Sequence, residues 1–220
     1  MSSTLAARHC LLLDFDGPVC SVFAGLHDHV AAAELAASLE PPTPPTIRTY
    51  TDPFDVLRYT AEHRPTEAAK VEALFTDIEV RAVRCARPTT DAAQTIRTAA
   101  ERPNSIVAIV SNNSVAAIDA YLTVHELRGC VAGIFARTSP DVSRLKPAPT
   151  LLLDALTALD VPASDAVFVG DSVTDVQAGH AAGVPVVAYA NRPEKVDRLS
   201  AARPATLITT MAQLRDRLGW

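Results

Sequence analysis

Two pairs of aspartates each follow a short apolar run, and their spacing suits chemistry that needs clustered oxygen atoms. Asp14 and Asp16 close the first run, while Asp171 and Asp175 follow a later one. Asp175 lies four residues after Asp171, so both side chains face the same side of a helix that starts there. Because the carboxyl ends of parallel strands form one edge of a sheet, the four carboxylates are expected to converge. Such a cluster repels itself unless protons or a cation neutralise it, and oxygen ligands beside a phosphate suit Mg²⁺.

Three simpler explanations of these aspartates compete with a shared cation site. A calcium-binding EF-hand loop starting at Asp14 needs glycine and glutamate where the chain has Val19 and Gly25, so that motif is excluded. Ordinary solvated carboxylates at a strand end remain an alternative for the first pair. An acid at a helix start complements the helix dipole, which explains Asp175 well and Asp171 only in part.

Two further segments have residue types that bind anions. Ser111 and Asn112 follow an apolar run and place a hydroxyl and free backbone N–H groups at the expected start of a helix, as in an anion site. Taken alone, simple helix capping is the better explanation of these residues, because Ser and Asn are the usual caps. Lys146 is one of only three lysines in the chain, and Pro147 and Pro149 stiffen the turn around it. A lysine held in this way is a candidate for neutralising a phosphate.

The elements that position these residues alternate along the chain. Short apolar runs that are typical of strands are separated by helical stretches, and this alternation predicts a doubly wound α/β core with a parallel sheet. The expected strands are residues 10–13, 105–110, 131–135, 166–169, 184–188 and 206–208.

Residues 18–87 interrupt this alternation because they contain no run that is typical of a strand. Helices are expected over 26–39, from Asp52–Pro53 onward and over 65–84, with a stiff proline-rich connector at 40–46. The sequence therefore predicts a core formed by residues 1–18 and 88–220, with a helical domain inserted at residues 19–87.

Composition excludes several classes of partner. The 220-residue chain is 48% hydrophobic and has a formal net charge of −5, which predicts a folded protein without a broad electrostatic attraction to nucleic acid. The longest apolar stretch, 181–190, is shorter than the ~20 residues that cross a bilayer, and no secretory leader is recognised at the N-terminus. Four cysteines lie far apart, which favours buried free thiols. We expect a cytoplasmic protein that binds neither nucleic acid nor membrane; its oligomeric state is unknown.

In this order, the segments DFDGPV, VSNNS, RLKPAP and VGDSVTD resemble the haloacid dehalogenase (HAD) superfamily. Residues 146–189 are similar to its phosphoglycolate phosphatase and β-phosphoglucomutase-like branch, and the insertion after the first motif looks like the C1-type helical cap of many members. The resemblance implies a Rossmann-like core with an inserted all-helical cap. Pro18 stands where this superfamily often has threonine, which removes one backbone N–H from the turn.

The resemblance also implies a role for each candidate residue. Asp14 would attack phosphorus to form an aspartyl phosphate, and Asp16 would act first as acid and then as base. Ser111, the amide of Asn112 and Lys146 would bind phosphate, with Ser111 and Lys146 also counted among the catalytic residues. The ligands implied for Mg²⁺ are Asp14, the backbone carbonyl of Asp16, Asp171 and Asp175.

The resemblance implies a Mg²⁺-dependent phosphatase that acts on a small phosphorylated metabolite. Asp16, Asp171 and Asp175 favour phosphate chemistry over dehalogenation, because the dehalogenating members lack the second acid and the metal. A phosphomutase of the β-phosphoglucomutase type and a non-catalytic, phosphate-responsive regulatory module remain alternatives. His27 and His29 are interpreted as surface residues that point in different directions, and 191–193 as a loop that leads into a helix.

Overall fold

The computed structural model describes residues 8–218, so residues 1–7 and 219–220, which the sequence assigns to the core, lie outside the described residues. Its centre is a sheet of six parallel strands in the order β5-β4-β1-β6-β7-β8. The strands are β1 (Cys10–Leu13), β4 (Ile106–Ser114), β5 (Gly133–Arg137), β6 (Ala166–Gly170), β7 (Val186–Tyr189) and β8 (Thr206–Ile208).

The strands β1 and β6 are apolar throughout, and so is β4 up to Val110, because helices cover both faces of the sheet. Leu11 and Leu13 belong to the apolar cluster on one face, whereas Cys10 and Leu12 belong to the cluster on the other. This alternation is the period of two that a strand imposes. The helices of this layered core are α4 (Ala92–Ala100), α5 (Val115–Val124), α6 (Thr150–Ala158), α7 (Val173–Ala182), α8 (Val196–Ala201) and α9 (Met211–Leu218). The predicted doubly wound α/β core is confirmed.

The inserted segment is largely helical, as predicted, although its helices are shorter than the expected ranges. It contains α1 (Asp28–Ala37), α2 (Pro53–His63) and α3 (Ala68–Val83). Asp52 caps α2 by accepting a hydrogen bond from the Phe54 N–H at 2.8 Å, which agrees with the predicted start. The connector ends at Pro44, where a 3-10 helix (Pro45–Thr49) begins.

Three details of the sequence prediction are wrong. Residues 18–87 are not free of strand, since β2 (Cys20–Ser21) pairs antiparallel with β3 (Arg87–Pro88); two residues are too few to show a strand period. Ser111 is not at a helix start, because β4 continues to Ser114 before α5 begins. Of the four free cysteines, only Cys10 and Cys20 are buried.

The helix α3 joins the insertion to the core. It packs along α5, and Phe75 and Ile78 belong to the same apolar cluster as Leu12 of β1. Phe75 also meets Phe54 of α2 edge-on, with 4.9 Å between the ring centroids. One continuous set of apolar contacts therefore connects the sheet, α3 and the other inserted helices.

We predict that Phe75→Ala lowers the free energy of unfolding by about 3–5 kcal/mol in a single transition, because it opens a cavity where α2, α3 and the sheet share contacts. Urea unfolding followed by far-UV circular dichroism measures this. Leu153→Ala, at a side chain that is 45% exposed, is the control and is expected to change the value by less than about 0.5 kcal/mol. A loss below about 1 kcal/mol for Phe75→Ala would show that the insertion does not share a core with the sheet.

Candidate active site

The predicted site residues lie at the carboxyl edge of the sheet. Asp14 directly follows β1, and its backbone N–H donates to the Val169 carbonyl at 2.8 Å, which fixes it beside the end of β6. Asp171 follows β6, and Ser111 lies within β4. The strand order places β1 between β4 and β6, so Asp14 is central. Parallel strands bring these residues together although they are far apart in the sequence.

Lys146 is the cation of this cluster. Its side chain is 3% exposed, and its Nζ lies 2.8 Å from Asp14 Oδ1 and 2.6 Å from Asp175 Oδ1. Asn112 holds the lysine turn from β4: its Oδ1 accepts from the Lys146 N–H at 2.8 Å, and its Nδ2 donates to the Lys146 carbonyl at 3.1 Å. The side chain of Asn112 therefore positions Lys146, a role that the sequence did not reveal.

Three carboxylates are close enough to hold one ion. Asp14, Asp171 and Asp175 each place an oxygen within 4.8 Å of the other two. Asp175 is fully buried and forms a capping box at the start of α7, accepting from the Ser172 N–H at 2.9 Å. Because Ser172 and Lys146 hold its two oxygens, its orientation is fixed by α7 and by the lysine together.

Asp16 lies beside this triad and its carboxylate is not part of it. Asp16 Oδ1 accepts a hydrogen bond from the Val22 N–H at 2.8 Å, and the residue lines a cavity of about 320 Å³ that Asp171 also lines. The turn that follows Asp16 needs Gly17, whose φ is +103°. A Cβ at this position would lie 2.3 Å from the Asp171 carboxylate.

Burial dominates the electrostatics of the site. It raises the pKa of Asp14 to about 7, with Lys146 opposing and the neighbouring acids adding to the rise. Burial also raises the pKa of Asp16 to about 7, against the hydrogen bond from Val22. For Lys146, burial disfavours the charged form, but Asp14 and Asp175 outweigh it and raise the pKa of the ammonium. The lysine is therefore charged, and two of the acids change protonation near neutral pH.

The loop after β7 supplies two contacts that sequence reasoning missed. Lys195 forms an ion pair with Asp171 Oδ2, and Asn191 Nδ2 donates to the same oxygen at 3.1 Å. Residues 191–193 lead into a 3-10 helix (Pro193–Lys195), as predicted, but the contact of Asn191 with Asp171 was not predicted. The scarcity of lysine was the available signal, since Lys195 and Lys146 both contact the acids of this site.

The segment that carries Ser111 is a distorted strand end. The pairing of β4 with β5 shifts register between Ser111 and Ser114, as in a β-bulge. Ser111 is 1% exposed, and its Oγ donates to Asn113 Oδ1 at 3.1 Å. Ser114 begins α5 as its N-cap, accepting from the Ala117 N–H at 3.3 Å. The cap that sequence alone suggested for Ser111 is therefore formed by Ser114.

The predicted divergence of His27 and His29 is wrong. Their rings stack with centroids 5.6 Å apart and an interplanar angle of 14°. His27 precedes α1 and has an extended backbone, so the helical spacing that separates side chains two residues apart does not apply to it.

Comparison with known proteins identifies the family and the fold of this chain. A family model described as haloacid dehalogenase-like hydrolase matches residues 9–183, which is most of the chain. The chain belongs to the haloacid dehalogenase-like hydrolase family. The family resemblance stated from the four sequence motifs is thereby confirmed.

Curated relatives of this HAD-family chain match shorter segments. The bifunctional riboflavin kinase/FMN phosphatase of Arabidopsis thaliana is 35% identical over 97 residues, which cover 44% of this chain and 25% of that protein. A probable phosphoglycolate phosphatase of Pseudomonas savastanoi is 41% identical over 69 residues, which cover 31% of this chain and 43% of that protein. The matches thus span less than half of the length of either relative.

Solved HAD-family structures match the whole fold. CbbY from Rhodobacter sphaeroides, solved in complex with phosphate, has a TM-score of 0.73 at 22% identity, covering 97% of this chain and 100% of that one. A putative phosphoglycolate phosphatase from Lactobacillus plantarum has a TM-score of 0.71 at 18% identity, covering 96% and 99%. These likenesses confirm the predicted α/β fold class. Within residues 8–218, no helix combines the length and apolar character needed to cross a bilayer.

We predict that in EDTA the free energy of unfolding falls as the pH rises from 5 to 8. Asp14 and Asp16 have pKa values of about 7 in the folded protein and about 3.9 when unfolded, so the folded state binds more protons across this interval. Asp16→Asn removes one of the two groups. This variant should lose less free energy of unfolding between pH 5 and 8 than the wild type, by an amount on the order of 2 kcal/mol. Urea unfolding at each pH measures both slopes, and equal slopes in the two proteins would contradict the raised pKa of Asp16.

Proposed function

We propose that this protein is a Mg²⁺-dependent phosphatase that hydrolyses a small phosphorylated metabolite through an aspartyl phosphate on Asp14. The observation that carries the proposal is the position of the Asp14 carboxylate. It lies at a buried strand end, 2.8 Å from the Lys146 ammonium and within 4.8 Å of oxygens of Asp171 and Asp175. A nucleophile, a fixed cation and further oxygen ligands at one point are what phosphoryl transfer requires.

The donor set fits a divalent cation. Asp14, Asp16, Asp171 and Asp175 contribute four carboxylates, whereas Lys146 and Lys195 supply two ammonium groups among them. The ionised cluster therefore keeps two uncompensated negative charges, which one Mg²⁺ balances, and all of its ligands are oxygens.

We assign the holding of Mg²⁺ to Asp14, the Asp16 backbone carbonyl and Asp171. Asp175 completes the set as an orienting group, since Ser172 and Lys146 already engage its oxygens. When bound, the cation neutralises charge on the transferring phosphoryl group and keeps Asp14 ionised.

The chain's own residues carry the two chemical steps. Both Lys146 and the Phe15 N–H hold Asp14 Oδ1, so we assign attack on phosphorus to Oδ2. As the new O–P bond forms and the ester O–P bond breaks, Asp16 donates its proton to the departing oxygen. Asp16 then takes a proton from the water that attacks the aspartyl phosphate, which restores both residues. A pKa of about 7 suits a group that acts as acid and then as base near neutral pH.

Phosphate recognition is assigned to the loop beside Asp14. The Ser111 hydroxyl, the Asn112 backbone N–H and the Lys146 ammonium would bind the phosphate oxygens. The proximity of Ser111 to the lysine supports this, because Asn112 joins the two segments by a pair of hydrogen bonds. The three donors would meet the charge that develops in transfer, and the Ser111 O–H, which here donates to Asn113 Oδ1, would turn to a phosphate oxygen when the anion binds.

The two predicted domains are given different roles in this proposal. We assign the chemistry to residues 1–18 and 88–220, and substrate selection to the helical insertion, residues 19–87. The cavity beside Asp16 supports this, because Ser21, Phe23 and Asp28 from the start of the insertion line it together with core residues. Inserted domains over an active site commonly cover the leaving group in this way.

We predict that purified protein releases inorganic phosphate from small phosphate esters only with Mg²⁺ present, and that Asp14→Asn lowers kcat by more than about 10³-fold because no other group replaces the nucleophile. A panel of phosphorylated sugars, acids and nucleotides, assayed with Mg²⁺ and with EDTA, tests this. Asp154→Asn, at an exposed acid paired with Arg144, is the matched control.

Two other outcomes of this assay would indicate the alternative functions. Isomerisation of a sugar phosphate without net phosphate release indicates the mutase. Phosphate binding without turnover of any ester indicates the regulatory module. Either result, or full activity of Asp14→Asn, contradicts the phosphatase.

We predict that the effect of Asp16→Asn depends on the leaving group. An alkyl phosphate departs as a basic alkoxide and needs the acid, so its first-step rate should fall about 10²–10⁴-fold. A nitrophenyl phosphate departs as a stable phenolate, and its first-step rate should fall much less. Single-turnover rates for both substrates in both proteins measure the difference. Equal losses on the two esters would show that Asp16 supports the site without transferring protons.

A further inference from the structure

A second buried charge cluster lies on the far side of the Ser111 segment. Glu79 of α3 is fully buried, and Arg137 at the end of β5 is 2% exposed. Burying two charges is costly unless they are paired and fully hydrogen-bonded. Neither residue belongs to the chemistry assigned above, so the polar contacts of this buried pair need an explanation of their own.

The Glu79 carboxylate is saturated by donors from the segment that carries Ser111. Its Oε1 accepts from Asn113 Nδ2 at 2.9 Å, and its Oε2 accepts from the Ser114 N–H at 2.9 Å and from Arg137. Arg137 also contacts this segment directly, because its Nε donates to the Asn112 carbonyl at 3.2 Å. Three successive residues of the bulged end of β4 are thus held by one carboxylate and its guanidinium partner.

These contacts determine which way the Asn113 amide points. An amide has one end that donates and one that accepts, and a carboxylate accepts only. With Nδ2 bound to Glu79, the carbonyl end of Asn113 is directed at Ser111, whose Oγ donates to it at 3.1 Å. A flipped amide would place two oxygens against each other in the interior. The Ser111 Oγ atom is therefore held in place from α3 through a single intermediate side chain, and its proton would turn from Asn113 Oδ1 to the phosphate when the anion binds.

We propose that Glu79 and Asn113 are positioning residues that hold the phosphate-binding face of Ser111 and Asn112 in place; the proposal rests on the proposed function. The inserted helix α3 acts on phosphate affinity through Glu79, without touching the phosphate. A binding segment whose atoms are already in place binds an anion more tightly, because less free energy is spent on ordering it.

The test compares two glutamates that share one partner. Glu79→Gln keeps the volume of the side chain but presents an NH₂ group to three donors, so at least one donor of the segment loses its acceptor. Glu72→Gln is the matched control, since Glu72 also pairs with Arg137 and contacts Thr76, both away from the Asn113 amide. Titration of each protein with inorganic phosphate in the presence of Mg²⁺, by calorimetry, gives a dissociation constant that does not depend on turnover.

We expect Glu79→Gln to raise the phosphate dissociation constant about 10-fold and to lower kcat/KM by a similar or larger factor, while Glu72→Gln stays within about 2-fold of wild type. Asn113→Ala leaves the Glu79–Arg137 pair intact and should reproduce the loss. The double variant Glu79→Gln/Asn113→Ala should bind phosphate no more weakly than the weaker single variant, because both act through one link. The dissociation constant for Mg²⁺ in the absence of phosphate should be the same in all four variants as in the wild type.

The possible failures are distinguishable. If Glu79→Gln does not fold, Asn113→Ala decides the matter. Wild-type phosphate affinity in Asn113→Ala, equal losses in Glu72→Gln and Glu79→Gln, or additive losses in the double variant would each overturn the positioning role and leave the proposed phosphatase intact. A wild-type protein that neither binds phosphate nor hydrolyses esters would instead overturn the proposed function itself.

Discussion

The site depends on one buried ammonium group. Lys146 lies between Asp14 and Asp175, and without it two carboxylates would face each other in an interior that stabilises neither charge. The lysine keeps these acids together but does not balance the whole cluster, even with Lys195 beside Asp171. This incomplete neutralisation is a useful property, because a site that was already balanced would have little attraction for a divalent cation. The charge that remains is the basis of the proposed chemistry.

The fold supplies the ammonium group and the acids from separate, rigid sources. Asp14 is fixed by the pairing of β1 with β6, Asp175 by the capping box at the start of α7, and Lys146 by the side chain of Asn112. Each source is a strand end or a helix start, where the backbone is already ordered. The inserted helix α3 also contacts the site from outside the sheet, because Glu79 accepts a hydrogen bond from the end of β4. The insertion is therefore attached to the core by polar contacts as well as by its apolar face.

Much of this arrangement was predictable from the sequence because it depends on local patterns. Apolar runs that end in Asp14 and in Asp171 indicated the strands and the acids, and the four motifs indicated the family. The contacts of Glu79 and Lys195 were not predicted, since an acid in an amphipathic helix and a lysine two residues after a proline are both typical of surfaces. For Lys195 the scarcity of lysine was a signal, but it did not indicate the partner. Their roles arise only when α3 and the loop after β7 pack against strand ends. The short β2–β3 pair was missed for a similar reason, as two residues form a strand only through their partner.

The central claim is that Asp14 becomes covalently phosphorylated, and trapping that species tests it most directly. Asp16→Asn protein mixed with Mg²⁺ and a nitrophenyl phosphate, quenched in acid within the first turnover, digested and examined by mass spectrometry should contain one phosphoryl group on the peptide that includes Asp14. Removing Asp14 as well, in Asp14→Asn/Asp16→Asn, should abolish the adduct. Rapid nitrophenol release with no phosphorylated peptide, or with the phosphoryl group on another residue, would contradict the account.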